Sequence, residues 1–199
     1  MWPWGVWTNG EKLVVISTGG GAVLIWNQFP TKDDQSAAIL LKGGGRLGSA
    51  RHVTSDGKSL IVGSHNARVE GQPEVLSFFW KTFPTSDDAP FDFYRTEPGP
   101  QRGPWLRGCF TRAGELLLLG CTLHIWNAFP ENAKDEPDLS LRSYNFHGGD
   151  HTGVAAAGDR VYIVTGNANK IVVYNSIPTK RNQLPDFAIG SPDIHTNTL

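Results

Sequence analysis

Ile25-Trp26-Asn27-Gln28-Phe29-Pro30 returns three times along the chain, as Phe79-Trp80-Lys81-Thr82-Phe83-Pro84, Ile125-Trp126-Asn127-Ala128-Phe129-Pro130 and Val173-Tyr174-Asn175-Ser176-Ile177-Pro178. The aromatic anchors stand at 26, 80, 126 and 174, at intervals of 54, 46 and 48 residues. A period of this size is that of a four-stranded propeller blade. The phrase has a mechanical reading. A Trp or Tyr late in a strand buries a large apolar area between neighbouring sheets, and the Pro that follows cannot extend a hydrogen-bonded ladder. The Asn between them suits a residue that bonds local backbone at a turn.

Working outward from the phrase, each repeat divides into the same four short strands. First strands are expected at residues 5–8, 52–55, 108–111 and 153–156, and second strands at 13–17, 60–63, 116–119 and 161–165. The third strand carries the aromatic phrase, and fourth strands follow a polar loop at 38–41, 91–94, 139–144 and 187–190. Asn9-Gly10 and Asp56-Gly57 read as two-residue hairpin turns, in which both central residues take positive φ. No segment sustains a 3.6-residue apolar period. The expectation is therefore an all-β fold: a β-propeller with four blades of four antiparallel strands and almost no helix. It is read as a single domain over residues 1–199, with blades near 4–45, 51–98, 105–146 and 151–194.

The fourth repeat contains the turn Gly166-Asn167-Ala168-Asn169, the apolar strand Lys170-Ile171-Val172-Val173-Tyr174-Asn175, the loop Ile177-Pro178-Thr179 and the ending Gly190-Ser191-Pro192-Asp193. This order resembles a bacterial variety of the NHL-type β-propeller repeat, with its Gly-Asn-Asn-Arg turn, Trp-Asn strand end, Ile-Pro-Thr loop and Gly-Gln-Pro-Asp ending. The resemblance extends over the whole chain and is closest in repeats one and four. In repeat three the turn before the third strand has shrunk to Gly120-Cys121, and in repeat two it has grown to span residues 65–73. Any ligand site is thus expected to differ from blade to blade. The resemblance implies an exported protein, although Met1-Trp2-Pro3-Trp4 lacks the basic and apolar regions of a signal peptide.

Composition narrows the function classes. A chain of 199 residues buries roughly 70% of its unfolded surface, enough for a core without staples. A formal net charge of −1 lacks the basic footprint of a duplex-binding protein, so no nucleic-acid partner is expected. No apolar run approaches the length of a membrane-spanning helix. Pairing about Ala113-Gly114 sets Cys109 opposite Leu117 or Leu118 and leaves Cys121 too far along the ladder for a disulfide, so two free thiols are expected. A closed four-bladed monomer is the favoured assembly. A dimer completing a larger ring, or a longer natural protein with more blades, is the alternative.

In a propeller, the loops between blades and those joining second to third strands share one face. Trp4, Arg51, His52, Trp105, Arg107, Asp150 and His151 fall there, with Arg68 reaching it from the long loop of repeat two. Arg, His and Trp on such loops bind anionic groups, metals or stacked rings. They are the candidate ligand-binding residues, and a protein, a glycan or a small anion is the expected class of partner. His52, His147 and His151 form a candidate zinc set. No recognised ligand motif supports it, and no cofactor is expected on that account. Paired acids Asp33-Asp34 and Asp87-Asp88 read as solvated turns, with loosely held calcium the alternative.

Gly43-Gly44-Gly45-Arg46-Leu47-Gly48 satisfies the spacing of a dinucleotide-binding loop. That loop works by presenting a helix N-terminus to a pyrophosphate, and the residues that follow here begin a hairpin instead. No serine elbow, phosphate loop or Cys/His metal module is present. The reading is a non-enzymatic ligand- or protein-binding propeller using the between-blade loop face. Its alternative is a metal-assisted lyase or hydrolase of the NHL-like propeller type, with histidines near the axial channel.

Overall fold

Four apolar repeats become four sheets in the computed structural model, which describes residues 2–98, 106–142, 146 and 152–197. The first sheet contains β1 (Pro3–Thr8), β2 (Leu13–Ser17), β3 (Ala22–Trp26) and β4 (Ile39–Leu41). The second contains β5 (Ser49–Ser55), β6 (Leu60–His65), β7 (Leu76–Trp80) and β8 (Phe93–Arg95). The third is built from β9 (Arg107–Phe110), β10 (Leu116–Leu119), β11 (Leu123–Trp126) and β12 (Leu139–Leu141), and the fourth from β13 (Thr152–Ala157), β14 (Arg160–Thr165), β15 (Lys170–Tyr174) and β16 (Phe187–Ile189). Within each sheet the strands lie in chain order and pair antiparallel, the meander of a propeller blade. The helical content of the described residues is three single 3-10 turns, at Thr18–Gly20, Gly43–Gly45 and Gly166–Ala168. None of the described helices is long and apolar enough to cross a membrane.

The aromatic phrase explains how the first three blades hold their long outer loops. The indole N–H of Trp26 donates to Gln35 O at 2.8 Å, that of Trp80 to Ala89 O at 3.1 Å, and that of Trp126 to Asp135 O at 3.3 Å, always nine residues on. One side chain thus ends a strand, fills the core and satisfies the loop that returns the chain to the fourth strand. A second recurring tie lies beside it. The carboxylates of Asp92, Asp138 and Asp186 accept the backbone N–H of Lys81, Asn127 and Asn175 at 2.7, 2.8 and 2.7 Å. Lys81 serves as well as Asn there, because it is the backbone N–H and not the side chain that the aspartate holds.

Contacts gather the chain into two units, one of residues 1–96 with 131–133 and the other of residues 97–130 with 134–199. In the first unit Val14, Ile16, Val23 and Ile25 meet Val53, Leu60, Val62, Phe78 and Trp80. In the second, Leu117, Leu119, Leu123 and Ile125 meet Val161, Ile163, Val172 and Tyr174. All four leucines of β10 are buried, so this strand shows no alternation of burial. At the outer edge of the first unit, Asp87 Oδ1 accepts the Leu40 N–H at 2.7 Å and caps strand β4. A paired acid of the second repeat therefore closes a sheet edge that would otherwise invite another strand.

Both expected hairpin turns are longer than their dipeptides suggested. Thr8 pairs with Leu13 and Ser55 with Leu60, so four residues turn the chain in each case. Only the glycine of each dipeptide takes positive φ, +91° at Gly10 and +86° at Gly57. The preceding side chain does the rest: Asn9 Oδ1 accepts Glu11 N and Lys12 N, and Asp56 Oδ1 accepts Lys58 N, Ser59 N and Ser59 Oγ. Partial burial raises the Asp56 pKa, but the hydrogen bonds from Ser59 and Lys58 outweigh it and leave the group below its ordinary 3.8.

Two outcomes follow. Replacing Trp80 by Ala removes a fully buried indole and its loop tie, and should cost about 3–5 kcal/mol in urea unfolding monitored by circular dichroism. Asp56→Ala should cost about 1 kcal/mol at neutral pH. A lowered carboxylate pKa stabilises above the unfolded value and ceases to do so as pH falls through the folded one. The difference between wild type and Asp56→Ala should therefore stay constant above about pH 5, begin to shrink as pH falls through about 3.8, and be lost only below that, as the folded carboxyl protonates.

Candidate functional site

Of the sequence-selected residues, the structure brings Trp4 and Arg51 together. The Arg51 guanidinium lies over the Trp4 ring, 4.6 Å from its centroid, a cation–π contact between the first strands of neighbouring blades. Gly5 makes that approach feasible, since a Cβ there would stand 2.7 Å from Arg51 O and 3.3 Å from His52 Cα. Arg51 also sits where the β5–β6 register shifts, so its side chain is re-aimed by a bulge. His52 Nε2 lies 3.0 Å from Thr54 Oγ1. Arg107 opens β9 in the second unit and is only 4% exposed. Trp105, His147, Asp150 and His151 lie outside the described residues, so the candidate zinc set is represented here by His52 alone. Among the described residues no group of three or more His, Cys, Asp or Glu side chains could hold a metal ion.

The loop face of the first unit carries a cavity of about 420 Å3. One wall is the 3-10 turn Thr18–Gly20 with Gly21, joining β2 to β3. A second wall is the connection from β4 to β5, contributing Lys42, Gly45, Gly48 and Ser49. Asn66 and Arg68, from the long β6–β7 loop, complete it. Lys42 and Arg68 are the charged residues of this lining, which contains no carboxylate and no aromatic ring.

Tight backbone contacts hold the walls in place. Arg68 N donates to Arg46 O at 2.8 Å and Ala67 N to Glu74 O at 2.6 Å. Thr18 N donates to Trp2 O at 2.9 Å, while Thr18 Oγ1 reaches across to Ala50 O at 2.6 Å. Ser64 Oγ donates to Leu47 O. Gly48, at φ +57°, passes so close to the next loop that a Cβ would fall 1.8 Å from Asn66 O. No other residue fits there without separating the two loops.

Sequence reasoning reached this face and placed Arg68 on it, but missed Lys42, Ser49, Asn66 and the Thr18 turn. The glycines of 43–48 were noticed and set aside as a dinucleotide loop. Strand β5 begins at Ser49 with no α-helix before it, as that argument required. The usable signal was the coincidence of two glycine runs, 19–21 and 43–45, each at the same end of its blade.

The second unit contains a constellation that looks catalytic at first. His124 Nδ1 lies 2.9 Å from Ser140 Oγ, and its Nε2 lies 3.3 Å from Glu97 Oε1, which also accepts Thr122 N at 2.8 Å. Glu97 and His124 side chains are 1% and 2% exposed, so neither can meet a substrate. Their role is visible in the backbone. Where the first and fourth blades join second to third strands by a 3-10 turn, the third uses Gly120-Cys121-Thr122, and the Glu97 carboxylate fills the space. A Cβ on Gly120 would lie 2.4 Å from Glu97 Cδ. The group is a buried plug for a shortened turn.

Neither a family model nor a curated protein matches this sequence. Solved structures do match in fold. Hsv2 from Kluyveromyces lactis is similar at 15% identity and a TM-score of 0.52, over 86% of this chain and 57% of that one. Hsv2 from Kluyveromyces marxianus matches at 13% identity and 0.53, over 94% and 61%. Virginiamycin B lyase from Staphylococcus aureus matches at 11% identity and 0.53, over 96% and 56%. This chain spans little more than half the length of these β-propellers. The likeness establishes the propeller fold of its four blades.

The thiols of this chain can be tested directly. Neither cysteine forms a disulfide, and Cys109 faces Leu117 across the ladder. Burial pushes its thiol up to about 12, with a hydrogen bond from the Ala156 backbone opposing the shift. Thiolate is the reactive form, so Cys109 should be inert to Ellman's reagent in the folded protein at pH 8 and react fully in 6 M guanidinium, on the order of a thousandfold faster. Mass mapping of the labelled peptide distinguishes it from Cys121.

Proposed function

We propose that this chain is a non-enzymatic binding module, NHL-like in its repeat, that takes its ligand on the face formed by the between-blade and second-to-third-strand loops. The observation that carries this reading is the cavity of about 420 Å3 on that face, within the size range of small-molecule sites. Its walls come from three separate loops whose positions are fixed by backbone hydrogen bonds and close glycine contacts, so little ordering is required on binding. Trp4, 53% exposed and covered on one side by Arg51, offers a further contact for a larger partner on the same pair of blades.

A catalytic reading has less support among the described residues. Their buried histidine serves a shortened turn, and their buried thiol is held protonated. A propeller scaffold hosts enzymes and binding proteins alike, so the lyase among the structural neighbours says nothing about chemistry here.

The reading is tested by titrating isotopically labelled protein with a panel of peptides, glycans and small anions while recording amide spectra. Ligands should shift residues 18–21, 42–49 and 66–68. Hits confined to the Pro-started loops at 28–35 and 81–89, on the opposite ends of the strands, would remove the loop-face reading.

A further inference from the structure

We propose that the cavity of the first unit is an oxyanion site, taking the phosphate or sulfate group of a small ester. The inference rests on the loop-face reading and names the chemistry of its ligand. Lys42 and Arg68 open onto the same space from different loops, and no carboxylate on the lining balances them. Two like charges sharing a concave site repel one another, and a doubly charged anion between them turns that repulsion into two charge-assisted contacts.

The backbone points to the same chemistry. Lys42 is in the right-handed helical region at φ −111° and ψ −5°, and Gly43 follows at φ +55°. Gly21, at φ +57°, ends the 3-10 turn of the facing wall with its own N–H donating to Thr18 O, so the concave pair is the one at Lys42-Gly43. A right-handed residue followed by a left-handed one turns successive N–H groups to one side, the concave arrangement that binds anions in proteins. Ser49 and Asn66 add polar side chains to the rim.

What the lining lacks selects among anions. It has no aromatic or branched aliphatic side chain, so there is no platform for a nucleobase or an acyl chain. Its volume of about 420 Å3 exceeds what a single tetrahedral oxyanion fills, leaving space for a small polar remainder. A compact phosphate or sulfate ester meets both conditions.

Calorimetry with inorganic phosphate, glucose 6-phosphate and unphosphorylated glucose tests this, with parallel amide spectra to locate the site. Phosphate and the ester should bind and shift residues 18–21 and 42–49, glucose should do neither, and added NaCl should weaken binding. Lys42→Gln and Arg68→Gln should each weaken the ester about tenfold while leaving the melting temperature unchanged. Cosedimentation with phosphatidate vesicles but not phosphatidylcholine vesicles, lost in both variants, would support the site and assign its source to a lipid headgroup. Absence of binding by phosphate, ester and phosphatidate vesicles, or variants that bind like wild type, would overturn the inference. A panel ligand that still shifts the loop face in the Lys42→Gln/Arg68→Gln double variant would then leave the binding-module reading standing, whereas hits only on the Pro-started loops would take both down.

Discussion

The indole at the end of the third strand is the constraint on which the blades depend. A four-stranded meander has to return its chain from the third strand to the fourth through a loop of a dozen or so polar residues, and such a loop costs entropy that its own contacts must offset. Trp26, Trp80 and Trp126 supply the offset: Trp80 and Trp126 are buried, Trp26 is half-buried, and each N–H fixes a carbonyl nine residues along the loop. The aspartates at 92, 138 and 186 close the corresponding loop from its far end in the second, third and fourth blades. In the second and third blades both ends are tied, and the fourth strand arrives in register.

Packing sheets this closely makes backbone volume the next limit, and glycine relieves it where two blades or two loops touch. Gly5 lets β1 lie against β5, and Gly48 lets the between-blade connection pass under Asn66. These contacts lie at the loop end of the first unit, where Trp4 meets Arg51 and where the cavity opens. The same close approach that joins the blades therefore shapes the candidate site, and a substitution that loosened one would be expected to loosen the other.

The fold was legible in the sequence because its signals are local. The short apolar run Leu13-Val14-Val15-Ile16, the Trp-to-Pro phrase and the glycine at each hairpin are each read within a few residues, and second strands were placed to the residue at 13–17 and 116–119. Turn geometry was less legible, because Asn9 and Asp56 act through their side-chain oxygens and not through their own φ. The candidate site was legible in place but not in membership. Trp4 and Arg51 were selected by residue type, and they do meet. Lys42 and Arg68 belong to loops 26 residues apart in the chain, and only the packing of two blades puts them on one cavity. Nothing in either loop alone announces the other.

Comparison of the second-to-third-strand turns shows why a site of this kind belongs to particular blades. The first blade spends four residues there, a 3-10 turn and a left-handed glycine, and leaves a concave wall. The fourth blade keeps the same turn with Asn169 at φ +50° in place of Gly21. In the third, the turn is cut to Gly120-Cys121-Thr122, and the space is occupied by Glu97, whose carboxylate holds Thr122 N and His124. A carboxylate in that position would repel an oxyanion, and its burial with His124 serves packing. The repeat thus keeps what closes the sheet and lets the turn vary between an open glycine-rich wall and a filled one. In such a chain the turn differs from blade to blade, while the aromatic anchor at the end of the third strand, Trp in three blades and Tyr174 in the fourth, recurs in all four.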